Sequence, residues 1–280
     1  MMCMWKLEKT SLEKAKADLD EVTSHCRNIK VQHKGVFEKL YERYDECNGS
    51  LTLQEHADFI KKYPIQAHAM KGQYAKLCEG EGLHYIREEL VGPVCKCPFC
   101  GFGEPITLDH YLPESVYEEL ATCRLNLVPL CWTCNNKKRA KDYNGFVHAY
   151  YQEYPTDIVF FKCKVTVSAA KALLLEFYID ERVIEESLSD KLKNQINVIE
   201  LNSRLHKECI SYLMNNFSLD ELPNDESLKF FLADKINKAK NNLGANHFQT
   251  AFLQGLYDCK EFTVEFLNGF LKKNQEKNKI

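Results

Sequence analysis

With 280 residues the chain is long enough for one large domain or two to three small ones. Its 45% apolar and 28% charged content is that of a soluble folded protein, and it contains no apolar run of about 18 residues that would span a bilayer. A net charge of −3 excludes a protein that grips nucleic acid through a general basic excess, so any such contact is local or helped by a partner.

The N-terminus turns charged at once with Lys6, Glu8 and Lys9 and lacks the apolar core of a secretion signal. Thirteen cysteines do not read as a disulfide framework: the count is odd, the chain is large, and only Cys95 to Cys134 cluster tightly. Others, such as Cys26, Cys47, Cys78, Cys209 and Cys259, fall in apolar patterns as small hydrophobes, and a reducing cytoplasm is expected.

Residues 10–30 are expected to form an amphipathic helix, with Leu12, Ala15, Leu19, Val22, Cys26 and Ile29 at three- and four-residue spacing. A second helix is predicted over 34–46 and ends at Asn48-Gly49. Shorter ones follow at 52–62 and 82–90, set apart by Tyr63-Pro64 and Gly80-Glu81-Gly82. Gly92-Pro93 opens a cysteine-rich module that closes at Asn144-Gly145, dividing the chain into 1–90, 91–145 and 146–280. Beyond it, 158–167 and 173–179 read as the two strands of a hairpin. Helices are predicted over 186–217, 226–242 and 247–271, and the lysines at 272, 273, 277 and 279 form a frayed, solvated tail. The fold class is α+β and mostly helical, with one small metal-pinned module between helical segments.

The chemistry concentrates in that module. Cys97-x-x-Cys100 and Cys131-x-x-Cys134 are two identical knuckles whose four thiolates make a closed tetrahedral zinc site. Cys95 competes with Cys97, but only Cys97 has the two-residue spacing to Cys100. Four thiolates leave zinc no open position for water, so the zinc is structural.

Between the knuckles lies Asp109-His110, in a β-like stretch closed by Pro113. An imidazole titrates near neutrality and suits a general base, while a carboxylate is a hard ligand for Mg²⁺ or Mn²⁺. Adjacent strand residues point to opposite faces, so both reach one site only if the strand bends there.

Asn135 follows the last cysteine at the start of an expected helix, either as an N-cap or as a second protein ligand of the cation. Asn126 is either a turn residue or a support for the histidine loop. Lys137, Lys138, Arg139 and Lys141 form either a solvated helix face or a contact to a phosphate backbone. The module carries six basic and six acidic residues, so only this run is basic. Trp132, inside the second knuckle, is expected to be a packing residue rather than a base-stacking one.

Over residues 95–141 the chain resembles the HNH endonucleases of the His-Me finger (ββα-metal) superfamily in their four-cysteine form. The resemblance implies His110 as general base, Asp109 and Asn135 as cation ligands, Asn126 as loop support, a structural Zn²⁺ on Cys97, Cys100, Cys131 and Cys134, and Lys138 at a frequent basic position for phosphate contact. The longer string Leu108-Asp109-His110-Tyr111-Leu112-Pro113 with Asn126-Leu127-Val128-Pro129 is similar to HNH proteins of bacterial antiphage systems, among them the HNH subunit of Septu-type systems with its ATPase partner. Duplex DNA is the implied substrate. The alternatives are a non-catalytic zinc module that binds nucleic acid or a protein, and an RNA-cleaving HNH nuclease.

Overall fold

The computed structural model describes residues 4–24, 26–139, 145–155, 157–219 and 221–277. The chain divides into two compact units, one of them Trp5–Tyr154 and the other built on Pro155–Ile280. The helical segment and the cysteine-rich module lie within the same compact unit.

In the first unit the helices are α1 Leu12–Ser24, α2 Val31–Glu46, α3 Leu53–Lys62, α4 Pro64–Gln73 and α5 His84–Val91. The helix expected over 10–30 stops at Ser24, short of its predicted end. α3 starts at a capping box: Thr52 Oγ1 accepts from Glu55 N at 3.1 Å, and Glu55 Oε2 accepts from Thr52 N at 2.9 Å. α4 was not expected, because Pro64 reads as a separator. It serves instead as the first helical residue, where its fixed φ and missing N–H cost nothing. α2 ends where Asn48 and Gly49 take φ of 52° and 77°, and a Cβ on Gly49 would lie 2.5 Å from the His148 ring.

The strands β1 Thr107–His110 and β2 Leu127–Leu130 pair antiparallel, with Thr107 opposite Leu130 and His110 opposite Leu127. α6, Trp132–Lys138, follows directly. This ββα unit has too little surface of its own to make a core. Leu108, Leu120, Leu127 and Leu130 are buried, as are Phe37, Tyr41 and Ile86 of the helices, and α5 packs on both strands.

Arg124, in the β1–β2 loop and 1% exposed, binds Asp18 of α1 through two hydrogen bonds of 2.5 and 2.8 Å, and Glu89 of α5 at 2.8 Å. A buried guanidinium needs such partners, and here they tie the loop to two helices.

In the second unit β3 Phe161–Val167 and β4 Leu173–Ile179 form the expected antiparallel hairpin. α7 Glu186–Val198 and α8 Leu201–Asn216 replace the single helix expected over 186–217, because Glu200 adopts a φ of 50°. α9 is Asp225–Leu243, capped by the Asn224 side chain. α10 Phe248–Asp258 and α11 Val264–Lys277 divide the span expected over 247–271, and α11 runs into the lysine-rich end expected to fray. α10 packs on β3 at Gly255, where a Cβ would lie 2.5 Å from the Cys163 carbonyl oxygen.

Among the described residues no helix is long and apolar enough to cross a membrane. Cys209 and Cys259 are buried as expected of small hydrophobes. Cys26 and Cys47 are half-buried, and Cys78 is exposed.

Candidate active site

The two knuckles converge. The sulfurs of Cys97, Cys100, Cys131 and Cys134 all lie within 4.8 Å of one another, and all four residues are buried. Ligands 2.3 Å from a tetrahedral zinc stand about 3.8 Å apart, and Cys100 Sγ lies 3.9 Å from Cys131 Sγ. Gly103 N donates to Cys100 Sγ at 3.3 Å, and Gly103 O accepts from Cys97 N at 2.8 Å. A Cβ at Gly103 would meet Cys131 Cβ and Sγ at 2.8 Å, so the knuckle closes only around glycine. The donor set and its size fit a structural zinc. Cys95 is exposed, outside the cluster.

Asp109 and His110 line one hollow of about 310 Å³ with Pro113, Glu114, Ser115, Asn135 and Arg139. The two successive residues share it because β1 ends at His110. There the His110 carbonyl accepts from Lys138 Nζ at 2.9 Å, and Tyr111 N donates to Asn126 O at 2.9 Å.

Hydrogen bonds and one ion pair orient the groups. His110 Nε2 is 2.8 Å from the Ala121 carbonyl oxygen. A carbonyl only accepts, so Nε2 carries the proton and Nδ1 the lone pair. Burial lowers the His110 pKa to about 4, against the opposing pull of the Ala121 bond, which keeps the ring neutral at neutral pH. The Tyr74 ring stands 4.4 Å from the imidazole, and its hydroxyl donates to Leu108 O at 2.9 Å.

Thr107 Oγ1 gives its one proton to Leu130 O at 2.8 Å, so it must accept from Asn135 Nδ2 at 3.0 Å. That fixes the amide with its nitrogen on β1 and leaves Oδ1 as a ligand atom. Asp109 is buried, with one oxygen 2.8 Å from Lys138 Nζ. Burial pushes its carboxyl up to about 6 despite the ammonium beside it. A carboxylate oxygen and an amide oxygen on one hollow make a hard donor pair that fits Mg²⁺ or Mn²⁺.

Asn126 is fully buried and clamps the loop after β1. Its Oδ1 accepts from Leu112 N at 2.8 Å and from Tyr44 Oη at 2.9 Å, while Nδ2 donates to Leu112 O at 3.0 Å. Tyr44 of α2 has thereby used its proton, so it accepts from His148 Nε2 at 3.1 Å.

The structure corrects three expectations. Lys138 is 0% exposed and bound to Asp109 and two carbonyls, so it faces neither solvent nor a phosphate backbone. Helix α6 starts at Trp132 with Cys131 as N-cap, which places Asn135 in the second turn and removes its reading as an N-cap. Trp132 is 65% exposed and does not pack. Of the remaining basic residues Lys137 is half-buried and Arg139 exposed, while Lys141 lies outside the described residues.

Tyr44, Tyr74 and the inward role of Lys138 were missed. A signal existed for Lys138 and Trp132. Cys134 must turn inward to the zinc, Lys138 is one turn further on the same face, and Trp132 is 200° away from Cys134. Tyr44 falls on the apolar side of the helix predicted over 34–46, but nothing in the sequence marked its hydroxyl, or Tyr74, as a partner of the site.

A family model for HNH endonuclease matches residues 94–141. Over 80 residues the chain is 35% identical to protein ea31 of Escherichia phage lambda, a match that covers 28% of this chain and 27% of the phage protein. No solved structure matches the chain.

Proposed function

We propose that the protein is a metal-dependent HNH endonuclease that hydrolyses phosphodiester bonds, with DNA as its substrate. The observation that carries this reading is the single hollow shared by Asp109, His110 and Asn135, each oriented by a hydrogen bond or ion pair that leaves its reactive atom free. His110 Nδ1 takes a proton from the water that attacks phosphorus, and the Ala121 carbonyl steadies the ring as it becomes charged. Asp109 and Asn135 would hold the divalent cation, which would supply stabilisation of the charge developing on the phosphate and the leaving oxygen. Asn126 keeps the histidine loop at its distance from β2.

The likeness of the Asp109-His110 and Asn126 strings to HNH proteins of antiphage systems extends the reading to a cytoplasmic defence effector working with a protein partner such as an ATPase.

The second reading, a zinc module that only binds, is favoured by the cysteine cluster alone. It gives no reason for the amide of Asn135 to be oriented beside a buried carboxylate. Manganese binding to the full chain separates the two. The nuclease reading expects one tight zinc and one weak Mn²⁺ site, the latter lost in Asp109→Ala with zinc retained. Zinc alone, with no Mn²⁺ site in the wild type, supports the binding module.

A further inference from the structure

We propose that Trp132 is a stacking platform for an unpaired nucleobase next to the phosphodiester held in the Asp109–His110–Asn135 hollow, an inference that rests on the nuclease reading above. The chain has two tryptophans with opposite fates: Trp5 is 1% exposed and Trp132 65%. The exposure is built in. Cys131 caps α6 and Cys134 is in its first turn, both turned to the zinc cluster, so the residue after Cys131 is carried outward. The Trp132 ring has no aromatic or hydrogen-bond partner among the described residues. Ile106, half exposed, is fixed next to the same end of the ββα unit through its N–H to Leu130 O at 3.2 Å.

Position ties this surface to the hollow. Trp132 and Asn135 share one face of α6 at i and i+3, and the stripe ends at Arg139, which closes the helix at a φ of 45° with its guanidinium on the Asn136 oxygens; Asn135 and Arg139 line the hollow. At 1.5 Å per residue the stripe is about 10 Å long. Nucleotides of a stacked strand advance about 3.4 Å each, so the stripe spans about three of them. A flat aromatic, an amide oxygen at the cation site and a guanidinium are the groups a strand presents itself to: a base face, the reacting phosphate and a further phosphate. Within a closed duplex no base face is available to a ring outside the stack. The platform therefore selects single-stranded or locally opened substrate. Stacking is tolerant of sequence, because every base has a π-face.

The test uses the full chain carrying His110→Ala, so that binding is read without cutting. A short labelled deoxythymidine strand, free or closed into a duplex with its complement, is titrated while label anisotropy and tryptophan emission are followed. The strand is expected to quench the emission of Trp132, and the quench to vanish in Trp132→Phe, whose ring still stacks and keeps most of the affinity. Trp132→Ala is expected to bind the strand about tenfold more weakly, with duplex binding unchanged and zinc content equal to the parent. Undiminished strand binding by Trp132→Ala, with emission unmoved in the parent, overturns the platform and leaves the nuclease reading standing. Equal weakening on strand and duplex overturns the preference for an unpaired base and makes Trp132 a duplex wedge. Absence of binding to both forms, together with no cutting by the wild type, overturns the nuclease reading and the platform with it.

Discussion

Lys138 holds the last residues of β1 by charge: its ammonium touches the Asp109 carboxylate at 2.8 Å and the carbonyl oxygens of His110 and Tyr111 at 2.9 and 3.5 Å. Removing one member of a buried pair leaves the other desolvated and unpaired, at a cost of about 3–5 kcal/mol. Lys138→Met is therefore expected to lower unfolding stability by that order in a denaturant titration and to abolish nuclease activity. The double variant Asp109→Asn/Lys138→Met should recover most of the stability and none of the activity, a non-additivity that a double-mutant cycle measures directly. A Lys138→Met chain as stable as the wild type would mean that the pair contributes no net stability. In the sequence this lysine looked like part of a basic run. Its place one turn after the zinc-facing Cys134, in a helix that starts three residues earlier than expected, turns it inward.

At the scale of elements, the ββα unit is held by two devices of different kinds. The zinc cluster fixes β2 to the knuckle before β1, and its loss is expected to unfold this unit. Cys131→Ala should lose zinc and show a loss of ellipticity that added zinc does not restore. Gly103→Ala should weaken zinc retention against a chelator, because the new Cβ would sit 2.8 Å from the Cys131 sulfur.

The second device is Asn126, whose amide is shared between the loop and Tyr44 of α2. Tyr44→Phe removes one buried hydroxyl that serves both Asn126 and His148, and an unfolding titration is expected to show a loss of about 1–3 kcal/mol with zinc retained. The cysteine spacing made the first device legible. The second pairs residues 82 positions apart, and no local pattern announces a hydrogen bond at that separation. Strands and helices with strong periodicity, such as the β3–β4 hairpin and α9, were read in place. Helix breaks at Glu200 and after Asp258 were not, because apolar spacing continues across them.

For the molecule as a whole, the segment before the module is a structural part of the unit that carries the HNH match, since Asp18, Tyr44, Tyr74 and Glu89 each bind a residue of the ββα unit or its loop. Asp18→Ala, which strips Arg124 of its bidentate partner, is expected to cost about 3 kcal/mol in the same denaturant assay. A net charge of −3 leaves nucleic-acid contact to local groups, and with Lys138 buried Arg139 is the described cation that lines the hollow. Nicking of supercoiled plasmid in Mg²⁺ or Mn²⁺ by the full chain, wild type against His110→Ala, tests the central claim most directly. Metal-dependent nicking that falls about a hundredfold or more in the variant, with zinc content unchanged, is the predicted result. Equal nicking by both proteins would contradict it and remove His110 as the base.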